Sequence, residues 1–106
     1  AFYYCSSLTS IVIPNSVTSI GSYAFYECTG LTDLTLGSAV AAIGDSALRN
    51  CSALSIIQIP ASVSVIGNHA FDGCLDLTGV IFAEGSQLIS LGYGAFYNCA
   101  SLESIT

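Results

Sequence analysis

Apolar residues recur in one fixed order along this 106-residue chain. A leucine is followed three and five places later by an apolar pair: Leu8 by Ile11 and Ile13, Leu31 by Leu34 and Leu36, Leu54 by Ile57 and Ile59, Leu77 by Val80 and Phe82. The pair has period 2, which is the mark of a short β-strand with one face buried. Pro14 and Pro60 follow two of these segments and end them, because proline donates no ladder hydrogen bond. A second apolar cluster comes next, as Val17 and Ile20 before Gly21, Val40 and Ile43 before Gly44, Val63 and Ile66 before Gly67, and Leu88 and Leu91 before Gly92. It predicts a further extended segment or tight turn, with glycine where the chain bends. Ala-Phe or Ala-Leu then stands at 1–2, 24–25, 47–48, 70–71 and 95–96, its second residue three places before a cysteine. That i, i+3 spacing fits one helical or 3₁₀ turn and puts both side chains on one face.

The cysteines fix the period. Cys5, Cys28, Cys51, Cys74 and Cys99 are 23, 23, 23 and 25 residues apart, and every other apolar position keeps the same register. Residues 1–106 therefore read as one array of about four and a half repeats, 1–23, 24–46, 47–69, 70–94 and a partial 95–106, with two extra residues within Ala83-Glu84-Gly85-Ser86-Gln87. Beginning and ending inside a repeat, the chain is expected to be a fragment of a longer protein. One such unit has too few apolar side chains to offset the entropy of ordering its backbone, so stability must come from stacking. The expected fold is a mainly β repeat solenoid. It is a right-handed coil with a parallel β-sheet on one face, equivalent strands about 4.8 Å apart, and short strands, turns and 3₁₀ or single helical turns elsewhere.

Composition narrows the class of partner. Hydrophobic residues make up 53% of the chain and charged ones only 8%, about a third of the ordinary share, so Ser, Thr, Asn, Gly and Tyr must finish the surface. Seven carboxylates face one cation, Arg49, for a net charge of −6. Without a basic stripe to displace counterions from phosphates, nucleic acid is excluded as a partner. No apolar run approaches the roughly 20 residues of a membrane span, and Ala1 opens no charged and then apolar leader pattern.

Candidate chemistry is sparse. The cysteines are expected to be free thiols acting as small buried hydrophobes, since equivalent side chains in stacked coils point the same way rather than at one another. A 23-residue spacing with one histidine offers no zinc ligand set. His69 occupies a turn position held elsewhere by Tyr23, Ser46 and Gly94, reads as a surface residue, and leaves the serines without a base; no catalytic residue and no cofactor are assigned. Asp72 and Asp76, near Glu27 and Glu84 of neighbouring copies, raise the idea of a weak calcium site, outweighed by a purely structural reading. Asn50-Cys51-Ser52 is a formal glycosylation sequon whose central residue should point inward.

The outward strand positions form ladders across the coils. One runs Thr9, Thr32, Ser55, Thr78, Glu103; the next Ser10, Asp33, Ile56, Gly79, Ser104; the third Val12, Thr35, Gln58, Ile81, Thr106. Ser10, Val12, Asp33, Thr35, Ile56, Gln58 and Ile81 are the candidate protein-binding face, mildly apolar and nearly uncharged, although Thr, Val and Ile are also good strand formers on any solvated sheet. Tyr3, Tyr26 and Tyr97 form a candidate aromatic contact ladder, interrupted by Arg49 and Asp72; the same tyrosines could equally pack over the edge of the coil below.

The unit Ala-Phe-x-x-Cys-x-x-Leu-x-x-Ile-x-Ile-Pro-x-Ser-Val-x-x-Ile-Gly resembles the short leucine-rich repeat of BspA-like surface proteins over the whole chain. Gly37 departs from it where proline is expected, and the longer loop of the fourth copy replaces its Pro-x-Ser turn. The resemblance implies an extracellular or cell-surface, non-enzymatic array with no catalytic residues to carry over. Its implied role is adhesion, with protein partners (host matrix, another surface protein or neighbouring copies) and with glycans as a further class. The alternative is a structural subunit of a filament, surface layer or larger assembly.

Overall fold

A computed structural model describes residues 7–105. In chain order their strands are β1 (Ser10–Val12), β2 (Ser19–Ile20), β3 (Asp33–Thr35), β4 (Ala42–Ile43), β5 (Ile56–Ile59), β6 (Val65–Ile66), β7 (Gly79–Phe82), β8 (Ser90–Leu91) and β9 (Ser104–Ile105). The chain winds as a three-sided β-solenoid. Odd-numbered strands lie on one side and even-numbered ones on a second. Every pairing is parallel and joins residues one repeat apart, as Ile11 with Leu34, Ile57 with Val80, Ile43 with Ile66. The period-2 reading holds in detail: along β5, Ile57 and Ile59 are fully buried while Ile56 and Gln58 are exposed. The Val-x-x-Ile-Gly cluster is an extended segment, and its strands β2, β4, β6 and β8 form one uninterrupted sheet. The two extra residues of the fourth copy are absorbed in a turn at Gly85 (φ 79°), after which Ile66 pairs with Leu91 in the common register.

The third side replaces the expected helical turn with a row of β-turns. Ala24, Tyr26 and Cys28 donate to the carbonyls three residues back, which is the i, i+3 geometry the spacing suggested. The alternate N–H groups of Tyr23, Phe25 and Glu27 instead donate to Asp45, Ala47 and Arg49 of the next coil, at 3.0, 2.7 and 2.8 Å. Left-handed residues make this possible. Tyr23 and Glu27, then Ser46 and Asn50, His69 and Gly73, Gly94 and Asn98 all have φ between 55° and 77°. Each reversal stops the chain from winding on into a helix and turns every second N–H along the solenoid axis. The conformation costs a non-glycine residue about 1 kcal/mol, offset at Tyr23, Glu27, Ser46, Asn50 and His69 by an inter-coil hydrogen bond from the residue's own N–H.

One expectation is corrected. The first-side sheet is not continuous: β1 pairs with β3, β5 with β7 and β7 with β9, but β3 and β5 form no ladder. The break accompanies the departure at Gly37, which packs so closely on the first coil that a Cβ there would stand 2.5 Å from the Pro14 carbonyl oxygen. The end of β3 is thereby held to β1. The opposite sheet and the turn row still bridge the second and third coils, so the core runs through without a gap, from Ile13 and Leu34 to Ile57, Ile66, Phe71 and Val80.

Candidate functional site

The break has a surface consequence. All seven residues of the proposed binding face are exposed: Ser10, Val12, Asp33, Thr35, Ile56, Gln58 and Ile81. They line a groove of about 690 Å³ spanning the coils on both sides of the β3/β5 seam. The rows have the expected register, Ser10 beside Asp33 and Ile56 beside Gly79, Val12 beside Thr35 and Gln58 beside Ile81. Val12, Ile56 and Ile81 are 71%, 50% and 42% exposed, which makes the walls apolar. Asp33 is the single charged residue of the lining, and among the described residues no hydrogen bond or ion pair engages its carboxylate.

Tyr26 and Tyr97 of the aromatic ladder do not meet. Tyr3 lies outside the described residues, and Tyr26 and Tyr97 are kept apart by the coils that carry Arg49 and Asp72. Tyr26 instead meets Tyr23 edge to face, with ring centroids 5.3 Å apart. Tyr97 is exposed.

Asp72 shows what the sequence reading of His69 missed. Its carboxylate is buried and takes His69 Nδ1 at 2.9 Å, Arg49 Nε at 3.5 Å and Asn98 Nδ2 at 3.4 Å. His69 is thus a half-buried partner in a polar cluster joining three coils, with its ring against Tyr93. Gly94 makes room for it, since a Cβ there would lie 2.9 Å from the imidazole. The available signal was the His69-x-x-Asp72 spacing across a turn with a cation one repeat earlier. These contacts engage the Asp72 carboxylate in place of the calcium considered above, and no cluster of three or more potential metal ligands occurs among the described residues. A second missed feature is a ladder of side-chain acceptors: Asp45 Oδ1 accepts from the Asn68 N–H, and Asn68 Oδ1 from the Tyr93 N–H, each at 2.8 Å.

The thiols are interior, as expected. Cys28, Cys51 and Cys74 are buried, Cys99 is partly buried, and all four are thiols; Cys5 lies outside the described residues. The S–H groups of Cys51, Cys74 and Cys99 donate to the carbonyls of Phe25, Leu48 and Phe71 in the coil before, at 3.1, 3.2 and 3.1 Å. Burial pushes the Cys51 thiol from an ordinary 9.0 up to about 12, with Cys28 adding to the rise and its N–H partly opposing it. Burial raises Cys74 further, and raises Cys99 as well. Thiolate chemistry is thereby suppressed. A folded pKa above the unfolded one means that this contribution to stability is fully present below about pH 9 and is lost as the pH climbs through the folded value. Urea midpoints are accordingly expected to fall between pH 9 and 11, and the slope should flatten in Cys51→Ala by up to about 1.4 kcal/mol per pH unit. An unchanged slope would remove Cys51 as the cause.

Comparison with known proteins places this geometry. The family model for the BspA type leucine rich repeat region matches residues 1–106, in six copies. The chain is similar to a leucine-rich repeat protein from T. pallidum (37% identity, TM-score 0.94, covering 99% of this chain and 48% of that one). A leucine-rich repeat protein from Bacteroides ovatus ATCC 8483 is also similar (31% identity, TM-score 0.90, 97% and 26%), as is a leucine rich cell surface protein from Faecalibacterium prausnitzii A2-165 (27%, TM-score 0.52, 93% and 38%). No match is found among curated proteins. The chain thus spans between a quarter and a half of the length of these structural relatives.

Proposed function

Since the chain belongs to the family of BspA-type leucine-rich repeat proteins, we propose that it is a non-enzymatic protein-interaction module of a cell-surface protein, working in adhesion through its first side. The observation that carries this reading is the groove at the β3/β5 seam, with exposed apolar walls on a backbone fixed by buried strands. A rigid face presenting Val12, Ile56 and Ile81 keeps the entropy cost of binding low, and large apolar anchors in a concavity are where interface energy concentrates. The surface location draws support from the name of the F. prausnitzii relative. Ile56→Asp tests the face: its side chain is solvated, so the thermal midpoint should stay within about 2 °C of the parent. Capture by a panel of immobilised matrix and cell-surface proteins should weaken tenfold or more, the loss of about 1.4 kcal/mol typical of an anchor. Full binding by this variant would remove the face from the proposal.

A second reading, a subunit of a larger assembly, is favoured by Ile89 and Tyr93. These are 86% and 81% exposed at outward positions where the preceding coils carry Ser64 and Asn68. Light scattering across concentrations separates the two: self-association that survives dilution and high salt supports the assembly, and a dilute monomer supports the binding module.

A further inference from the structure

Three independent features converge on one point of the groove. Asp33 is its only charge and is unengaged, while the neighbouring Ser10, Thr35 and Gln58 are uncharged. The chain's single cation cannot serve it, because Arg49 is held by Asp72 on another side of the solenoid. β3 and β5 form no ladder, so the peptide groups on their facing edges are not paired with each other, and such groups take a partner wherever one can reach them. Ile56 follows Asp33 in the same row of the face, which sets an apolar wall next to the carboxylate.

Resting on the binding face of the preceding section, we propose that the groove is a receptor for an arginine side chain presented by an extended segment of a partner protein. The guanidinium is a planar fork of five N–H donors that pairs with a carboxylate through two of them and keeps the others for carbonyl oxygens. Its aliphatic stem covers apolar surface while its head stays polar, which matches a carboxylate beside Ile56 at a seam with unpaired backbone groups. Lysine supplies the charge without the fork. A chain of net charge −6 attracts such a partner from a distance, and Asp33 selects the side chain that docks.

The test is a titration of the ¹⁵N-labelled chain with three peptides: acetyl-Thr-Val-Arg-Val-Thr-amide and its citrulline and lysine counterparts. The arginine peptide is expected to shift amide signals of β3 and β5 and to bind at least fivefold more tightly than either counterpart at low salt. Asp33→Asn should abolish that preference. Glu84→Gln, which removes an equal charge from an exposed loop outside the groove, should preserve it. Equal binding of arginine and citrulline at β3 and β5 would overturn the arginine site and leave the face as a binding surface. Equal binding of arginine and lysine would overturn the guanidinium fork. Shifts confined to other carboxylates, or none at all, would also overturn the inference, while the Ile56→Asp capture experiment judges the face by itself.

Discussion

Ile57→Asp is expected to abolish cooperative folding of the central coils. Ile57 is fully buried in the middle of the core and is in register with Val80 of the next coil. A carboxylate there would be surrounded by aliphatic side chains, with no cation within the core to meet it. Burying it ionised or protonating it both cost free energy, and the loss is about 4 kcal/mol or more, comparable to the roughly 5–15 kcal/mol that holds a whole domain together. Because each coil is stabilised by its neighbours, the damage should spread. Far-UV circular dichroism should show loss of strand signal, and urea unfolding should lose its single steep transition. Ile57→Val is the control, with a cost of about 1 kcal/mol from one missing methylene. A folded Ile57→Asp protein with damage confined to one strand would contradict the shared core.

What could be read in advance divides along a physical line. Side chains selected by burial announce themselves through polarity, so Ile57 and Ile59 identified their strand and its inward side, and Val63 and Ile66 marked a second inward-facing cluster, an extended segment or a turn. The order of sides in a coil followed from Pro60 and Gly67, which act on the backbone in a residue-specific way. Conformations imposed by the stack left no such mark. Tyr23, Ser46 and His69 are left-handed although none is a residue type that requires it; the inter-coil hydrogen bonds select the conformation, and those exist only after stacking. The spacing from Phe25 to Cys28 therefore suggested a helical turn, correct in its i, i+3 contact and silent about the reversals on either side.

The candidate site divides in the same way. The rows through Asp33 and Gln58 were legible because outward strand positions simply alternate with buried ones. The break between β3 and β5 was not, since the residues on either side of it have ordinary strand composition. Gly37 was visible as a departure from the repeat, but its effect depends on where the Pro14 carbonyl lies. His69 looked solitary because the cluster it joins through Asp72, with Arg49 and Asn98, is spread over three coils. Contacts between coils thus account for most of what the linear pattern withheld.

The same close contact between coils makes Gly44→Ala the second large effect. Gly44 and Gly21 hold the same place in successive repeats, so propensity alone predicts equal outcomes for alanine at either one. The surroundings differ. A Cβ on Gly44 would stand 2.6 Å from the Ser22 nitrogen and 2.8 Å from the Gly21 carbonyl carbon, both backbone atoms, whereas a Cβ on Gly21 meets nothing within 4 Å. The Gly44 N–H also donates to the Ile20 carbonyl at 2.8 Å, so relieving the clash separates the coils and stretches that bond. Overpacking against backbone of this kind costs on the order of 3 kcal/mol, or about 15 °C in thermal midpoint for a chain of this size. Gly21→Ala should be neutral or stabilise by up to about 1 kcal/mol, because alanine narrows the unfolded ensemble without strain in the fold. Paired melting curves of the two variants separate the causes: a drop in Gly44→Ala alone identifies inter-coil approach as the reason for the glycine. Equal drops in both would assign the glycine to its turn instead, with the spacing of the coils set by the core side chains.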